Sequence, residues 1–104
     1  MNTTMSRFSL ILTKEEMERL NFKETKDGGI EITANVHGLK VYQAKRLINN
    51  IINISKTDIK MNVIHGYNHG TAIKEMIKND ITNSRVYDII PDRHNMGVTH
   101  IFAA

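Results

Sequence analysis

Two His-Gly dipeptides are the residues of this 104-residue chain best suited to chemistry: His37-Gly38 and His65-Gly66. An imidazole titrates near neutral pH and can give or take a proton, and an adjacent glycine lets a substrate approach the backbone closely. Two histidines could divide the roles of general base and general acid. This chemistry requires both dipeptides to lie at the same edge of the fold.

The elements around the dipeptides are typical of an α/β sheet, because each dipeptide follows a strand pattern and precedes a helix pattern. Alternation at period two predicts strands, and apolar residues at helical spacing predict helices. The predicted order is strand, helix, strand, helix, strand, strand, at residues 30–36, 40–54, 61–64, 71–79, 85–90 and 98–102. The tight connection between the last two strands favours an antiparallel pair. Ligands bind where parallel strands end, so we expect His37 and His65 at one edge.

The N-terminal part of the chain differs in pattern from the rest. The run 8–12 alternates and predicts a brief edge strand, and Thr13 begins a capping box that would start a short helix over 14–20. An Asp-Gly-Gly turn signal follows. We therefore interpret residues 1–29 as an N-terminal appendage of a strand, a short helix and a Gly-rich turn, and residues 30–104 as the main domain.

Three motifs of the main domain carry a family resemblance: Ala34-Asn35-Val36-His37-Gly38, His65-Gly66-Tyr67-Asn68-His69-Gly70-Thr71 and Gly97-Val98-Thr99. In order and spacing they resemble the Leu-Asp-x-His-Gly, His-Gly-x-Gly and Gly-x-Thr motifs of the Smr (small MutS-related) domain family. The resemblance implies a two-layer β-α-β-α-β-β sandwich with a mixed four-stranded sheet and two main helices, similar to the C-terminal domain of a translation initiation factor. It also implies nucleic-acid binding and, as in several members, an endonuclease activity that nicks DNA or cleaves RNA, in MutS-related repair and recombination or in RNA quality control.

The motifs and the strand ends together predict the site residues. The predicted catalytic residues are His37, His65 and Asn35, with one histidine as general base toward water or a ribose hydroxyl and the other as acid or phosphate donor. Asn35 stands where the family has aspartate, so it can hydrogen-bond the His37 ring from the same strand face but cannot stabilise the protonated ring as a carboxylate would. Asn68 replaces a family glycine and would reshape its loop. The predicted nucleic-acid contacts are Gly38, Lys40, Gly66, Tyr67, Asn68, His69, Gly70, Thr71, Lys74 and Arg93.

Three other hypotheses fit the same residues. A zinc ion could be held by His37, His65 and His69, since three imidazoles suffice for a catalytic site, although we predict no metal and no cofactor. The chain could instead bind DNA or RNA without cleaving it, which the missing carboxylate at Asn35 favours. It could also be an adaptor that docks on a MutS-like or ribosome-associated protein through its N-terminal appendage.

The composition indicates one globular domain and excludes several classes of function. The content of 40% hydrophobic and 24% charged residues is ordinary, and 14 basic against 11 acidic residues give a net charge of +3 that modestly favours a polyanionic partner. The absence of cysteine excludes disulfides and thiolate catalysis. No apolar run approaches the roughly 20 residues of a membrane span and no signal peptide is visible, so we expect a cytoplasmic protein without a membrane partner.

Overall fold

The computed structural model describes residues 3–67 and 71–104, which form four helices and five strands. The helices are α1 (Thr3–Ile11), α2 (Lys14–Glu18), α3 (Val41–Ile54) and α4 (Ala72–Asp80). The strands are β1 (Leu20–Glu24), β2 (Ile30–Asn35), β3 (Ile59–Ile64), β4 (Val86–Pro91) and β5 (Val98–Ala103). The predicted α/β class is confirmed. Over the described ranges, none of the helices has the length and apolar character that a membrane span requires.

The five strands form one mixed sheet in the order β1-β2-β3-β5-β4. Strands β2 and β3 are parallel, as the strand-helix-strand pattern predicts. Strand β5 lies between β3 and β4 and is antiparallel to both, so the prediction of an antiparallel last pair is also confirmed. Strands β2, β3 and β4 therefore run in one direction, and their carboxyl ends share one edge of the sheet.

The sheet has five strands where four were predicted, because β1 was not anticipated. Strand β1 pairs antiparallel with β2, and Leu20 and Phe22 lie opposite Ala34 and Ile32. The two strands are joined by a tight turn in which the Thr25 amide donates to the Gly29 carbonyl at 3.0 Å. The Asp-Gly-Gly turn signal thus belongs to a β-hairpin.

The prediction of an edge strand at 8–12 is wrong, because these residues belong to the end of α1 and the turn after it. Phe8 is fully buried and Leu12 is 6% exposed, whereas Leu10 between them is 85% exposed. Residues four apart share a face of a helix, while a strand would also place the middle residue on that face. The short helix predicted at 14–20 is present as α2, and its capping box at Thr13 is formed.

The hydrophobic core lies on one face of the sheet, beneath the helices. Alternate residues of β2, β3 and β5 are buried, as expected for strands with one covered face. Among the described helices, α3 contributes the most buried residues to the core, including Leu47, Ile48, Ile51 and Ile52. Burying one such side chain contributes about 1.5–3 kcal/mol relative to leaving it exposed. This packing fixes the start of α3 beside the carboxyl end of β2.

Candidate functional site

The turns that follow β2 and β3 meet in one cleft of about 530 Å³ at the carboxyl edge of the sheet. The cleft is lined by these two turns and by the first turns of α3 and α4: His37, Gly38, Leu39, Lys40, Val41, His65, Gly66, Tyr67, Ala72, Ile73 and Lys74. The prediction that His37 and His65 share one edge is therefore confirmed. Parallel pairing of β2 and β3 is the cause, since it brings both strand ends to the same side.

The ring of His37 lies directly against Gly66. A Cβ atom built on Gly66 would stand 2.4 Å from His37 Cδ2 and 3.1 Å from His37 Nε2, so no larger residue fits while the ring keeps its place. The φ of Gly66 is +75°, in the region that favours glycine. The glycine of the second dipeptide thus serves as the platform for the histidine of the first. His37 itself is exposed.

His65 has a different environment from His37, because it is only 5% exposed. Its Nδ1 lies 2.7 Å from the Gly66 carbonyl, which can only accept, so Nδ1 carries the proton. Its Nε2 lies 2.9 Å from the Thr99 hydroxyl and accepts from it. Burial lowers the pKa of His65; the hydrogen bond with Gly66 opposes this effect and the charge of Lys74 adds to it. The lowered pKa favours the neutral ring, and both ring nitrogens are engaged within the protein.

The loop between β4 and β5 is hydrogen-bonded to the turn that carries His65. The His65 and Gly66 amides both donate to the Gly97 carbonyl, at 2.8 and 3.1 Å. Asp92 anchors the loop, because its carboxylate accepts from the backbone amides of His94 and Asn95 and from the ring of His100. These hydrogen bonds, that of the His94 amide first, lower the pKa of Asp92 to about 2.

Asn35 holds the first turn through the backbone. Its Oδ1 accepts from the His37 amide at 3.1 Å, which fixes the chain just before the ring. This is the local side-chain to backbone bond that Asn and Asp commonly make in turns. The predicted bond goes to the His37 ring, whereas Asn35 Oδ1 binds the His37 backbone amide, so Asn35 acts on the ring through the turn and needs no carboxylate.

Arg19 is a residue of this edge that the sequence analysis missed. Its Nη1 donates to the Asn35 carbonyl at 3.0 Å and to the His37 carbonyl at 3.3 Å. The arginine lies far from these residues in sequence and immediately precedes β1. Only a prediction of the β1–β2 hairpin could have placed it here.

The charge of the cleft is positive over its described residues. Lys40 and Lys74 both line it, and the lining residues described by the structure include no aspartate or glutamate. The N–H groups of a helix's first turn have no partner within the helix and form the positive end of its dipole. Because α3 and α4 both begin at the cleft, an anion there would meet two such helix ends.

The other predicted contacts are placed less uniformly. Tyr67 lines the cleft and is 53% exposed. Thr71 and Arg93 are exposed and lie outside the set of lining residues, and the Thr71 hydroxyl donates to Glu75. Asn68, His69 and Gly70 lie outside the described residues. His69 is the third ligand of the zinc hypothesis. Within residues 3–67 and 71–104, no group of three or more His, Asp or Glu side chains could hold a metal ion.

No protein-family model, no curated protein and no solved structure matches this chain. What the cleft can do is therefore inferred from its own residues and their geometry.

Proposed function

We propose that this chain is a nucleic-acid-binding domain of the Smr type, and that its cleft receives a phosphate of a DNA or RNA backbone. The observation that carries the proposal is the composition of the cleft. An exposed imidazole, two lysines and two helix starts line it, and its described lining residues contain no carboxylate. A phosphodiester is the common biological group that such a surface attracts.

The order of the elements gives separate support. Strand β2, helix α3, strand β3, helix α4 and strands β4 and β5 follow one another in the order that the Smr resemblance implies. The three motifs occur at the end of β2, at the end of β3 and at the start of β5. A two-layer sandwich like that of the initiation-factor domain is part of the same proposal.

Salt-dependent binding tests the proposal. Fluorescence anisotropy would follow a labelled RNA hairpin and a DNA hairpin of the same sequence over a series of NaCl concentrations. We expect the logarithm of the affinity to fall linearly with the logarithm of salt, and Lys40→Ala and Lys74→Ala each to reduce that slope by about one. Lys78→Ala is the matched control, because Lys78 is exposed on α4 but outside the cleft.

Two outcomes would contradict the proposal. One is equal loss of affinity in the Lys78→Ala control and in the two cleft variants. The other is no binding of either hairpin at low salt, which would favour the adaptor hypothesis, in which the chain docks on a MutS-like or ribosome-associated protein.

Cleavage by His37 is the second candidate function, favoured by the exposed position of its ring over Gly66. On RNA, His37 would take the proton of a ribose 2′-hydroxyl as that oxygen attacks phosphorus. The bond from phosphorus to the 5′ oxygen would break, and the leaving oxygen would take a proton from water. In this arrangement His65 supplies no acid, because both of its ring nitrogens are engaged inside the protein.

An activity assay separates cleavage from binding alone. The RNA hairpin and a supercoiled plasmid would be incubated with the protein in EDTA, alongside His37→Ala and the exposed-loop control His94→Ala. The cleavage hypothesis predicts that only His37→Ala abolishes the product. Product that persists in His37→Ala would come from another source, and binding without product would leave a non-catalytic module.

A further inference from the structure

Arg19 connects the N-terminal segment to the turn that carries His37. Its backbone carbonyl accepts from the Asn35 amide at 2.9 Å, and its guanidinium donates to the Asn35 and His37 carbonyls at 3.0 and 3.3 Å. One residue of the N-terminal segment thus makes three hydrogen bonds to the end of β2 and the turn beyond it.

These bonds act where the chain leaves the sheet. Strand β2 ends at Asn35, and the Val36 amide still donates to the Ile64 carbonyl of β3 at 3.0 Å. Gly38 has a φ of +86°, so the chain turns away from the sheet at His37 and Gly38. The Asn35 side chain holds the His37 amide, and the Arg19 guanidinium holds the His37 carbonyl. The backbone of His37 is therefore fixed on both sides of its Cα atom. Both guanidinium bonds leave one nitrogen, Nη1, whose two N–H groups lie in the plane of the guanidinium.

We propose that Arg19 is a positioning residue of the cleft, which holds the His37 ring against Gly66 and so keeps the phosphate site assembled. The proposal rests on the proposed function for the phosphate, but the position of His37 can be measured without any nucleic acid. It also gives the N-terminal segment a role in the site, since α2 and β1 are the elements that place Arg19.

A purely architectural role for Arg19 would be to pin β1 to β2. The backbone bond from the Asn35 amide to the Arg19 carbonyl already continues that pairing, which begins with Leu20 opposite Ala34. The guanidinium bonds are additional, and one of them reaches two residues past the end of β2, to His37. The side chain is thus placed to control the turn independently of the hairpin.

The test compares Arg19→Met and Arg19→Lys with the control Arg46→Met. Arg46 is an exposed arginine of α3. Arg46 and Arg19 both line a second groove, which adjoins the cleft at Leu39. The full chain would be studied by NMR for the His37 ring and Gly66 amide resonances, by anisotropy with the labelled RNA hairpin, and by thermal unfolding to confirm folding. Arg19→Lys retains the charge and one donor group, so it keeps the test valid if Arg19→Met does not fold.

We expect Arg19→Met to shift the His37 and Gly66 resonances and to weaken hairpin binding by up to about tenfold. Losing a hydrogen bond to a charged group can lower the population of the assembled turn by about that factor, and the affinity falls with that population. Arg19→Lys should give a smaller change in the same direction, and Arg46→Met should leave both resonances in place. Unchanged resonances in folded Arg19→Met or Arg19→Lys, or equal shifts in Arg46→Met, would overturn the proposal. Hairpin affinity equal to that of the wild type would overturn it as well. If the wild type itself binds no hairpin, the proposed function fails while the resonances still decide the role of Arg19.

Discussion

Gly66 bears two separate constraints, a positive φ and the ring of His37 in contact with its Cα face. Gly66→Ala should therefore destabilise the fold by more than backbone strain alone. The strain of a left-handed alanine costs about 1–2 kcal/mol, and displacing the ring should add roughly another 1 kcal/mol or more. The midpoint of urea unfolding measures the total, and the His37 ring resonances report the displacement.

Two other glycines separate these contributions. Gly28 and Gly38 have φ of +87° and +86°, and a Cβ atom on either would meet nothing within 4 Å. Gly28→Ala and Gly38→Ala should show the strain and no steric clash. If Gly66→Ala costs no more than Gly28→Ala, the His37 ring does not depend on Gly66 as a platform.

His65 should make the stability of the fold depend on pH below neutrality. Burial lowers the pKa of His65 in the folded state, while in the unfolded chain it returns to about 6.5. Below that value the unfolded chain binds a proton that the folded chain does not, so the free energy of unfolding falls as the pH is lowered from about 7 toward 5. Urea unfolding at several pH values measures this slope.

The contribution of His65 is isolated by substitution. His65→Gln should be less stable at pH 7, because the Thr99 hydroxyl and the Gly66 carbonyl lose their partner. Its stability should nevertheless change less between pH 7 and 5 than that of the wild type. His94→Gln, in an exposed loop, should keep the wild-type slope. An unaltered slope in His65→Gln would assign the pH dependence to other groups.

Helix α1 illustrates why a short apolar run can be misassigned. Phe8 and Leu12 are four residues apart, and that spacing puts them on one face in a strand as well as in a helix. Only Leu10 distinguishes the two periods, and its hydrophobic side chain favoured the strand. In the structure Leu10 is 85% exposed, so burial of the segment follows the helical period.

Strand β1 was missed for a related reason. Only two apolar residues, Leu20 and Phe22, alternate in it, and the sequence before them continues the pattern of α2. The antiparallel pairing of these two residues with β2 supplies the stabilisation that five isolated residues lack. An Asp-Gly turn between two alternating runs is a recognised hairpin signal, but the Asp-Gly-Gly signal here predicted only a turn.

Some features of the candidate site follow from local sequence patterns, and others depend on contacts between residues far apart in the chain. The convergence of His37 and His65 could be predicted, because it follows from two consecutive strand-helix units. The burial of His65 could not, because it depends on Thr99 of β5, which enters the sheet beside β3. The position of Arg19 depends on β1, so it could not be predicted once β1 was missed.

At the scale of the whole molecule, the N-terminal segment contributes to the same core as the rest of the chain. Phe8 is fully buried in one cluster with residues of β2, α3 and β3, and its ring lies 5.0 Å from that of Phe22. Strand β1 extends the sheet at the β2 edge. The predicted division at residue 29 is a statement about folding units, and core substitutions can test it.

Phe8→Ala should destabilise the entire molecule, by about 3–5 kcal/mol, if α1 and the sheet fold as one unit. Leu10→Ala on the same helix should change stability by no more than about 0.5 kcal/mol, because Leu10 is 85% exposed. Amide hydrogen exchange in β3 provides the measurement, since β3 is the middle strand of the sheet and its amides are expected to exchange by global unfolding.

If Phe8→Ala lowers the protection of β3 by the full loss of stability, residues 1–29 and 30–104 unfold together. If protection falls only in α1, α2 and β1, the N-terminal segment is a separate unit. Either result affects the cleft, because Arg19 of the N-terminal segment bonds the turn that carries His37. With one cooperative unit, that bond persists as long as the protein is folded. With two units, local opening of the N-terminal segment would release the His37 turn while the rest of the sheet remained intact.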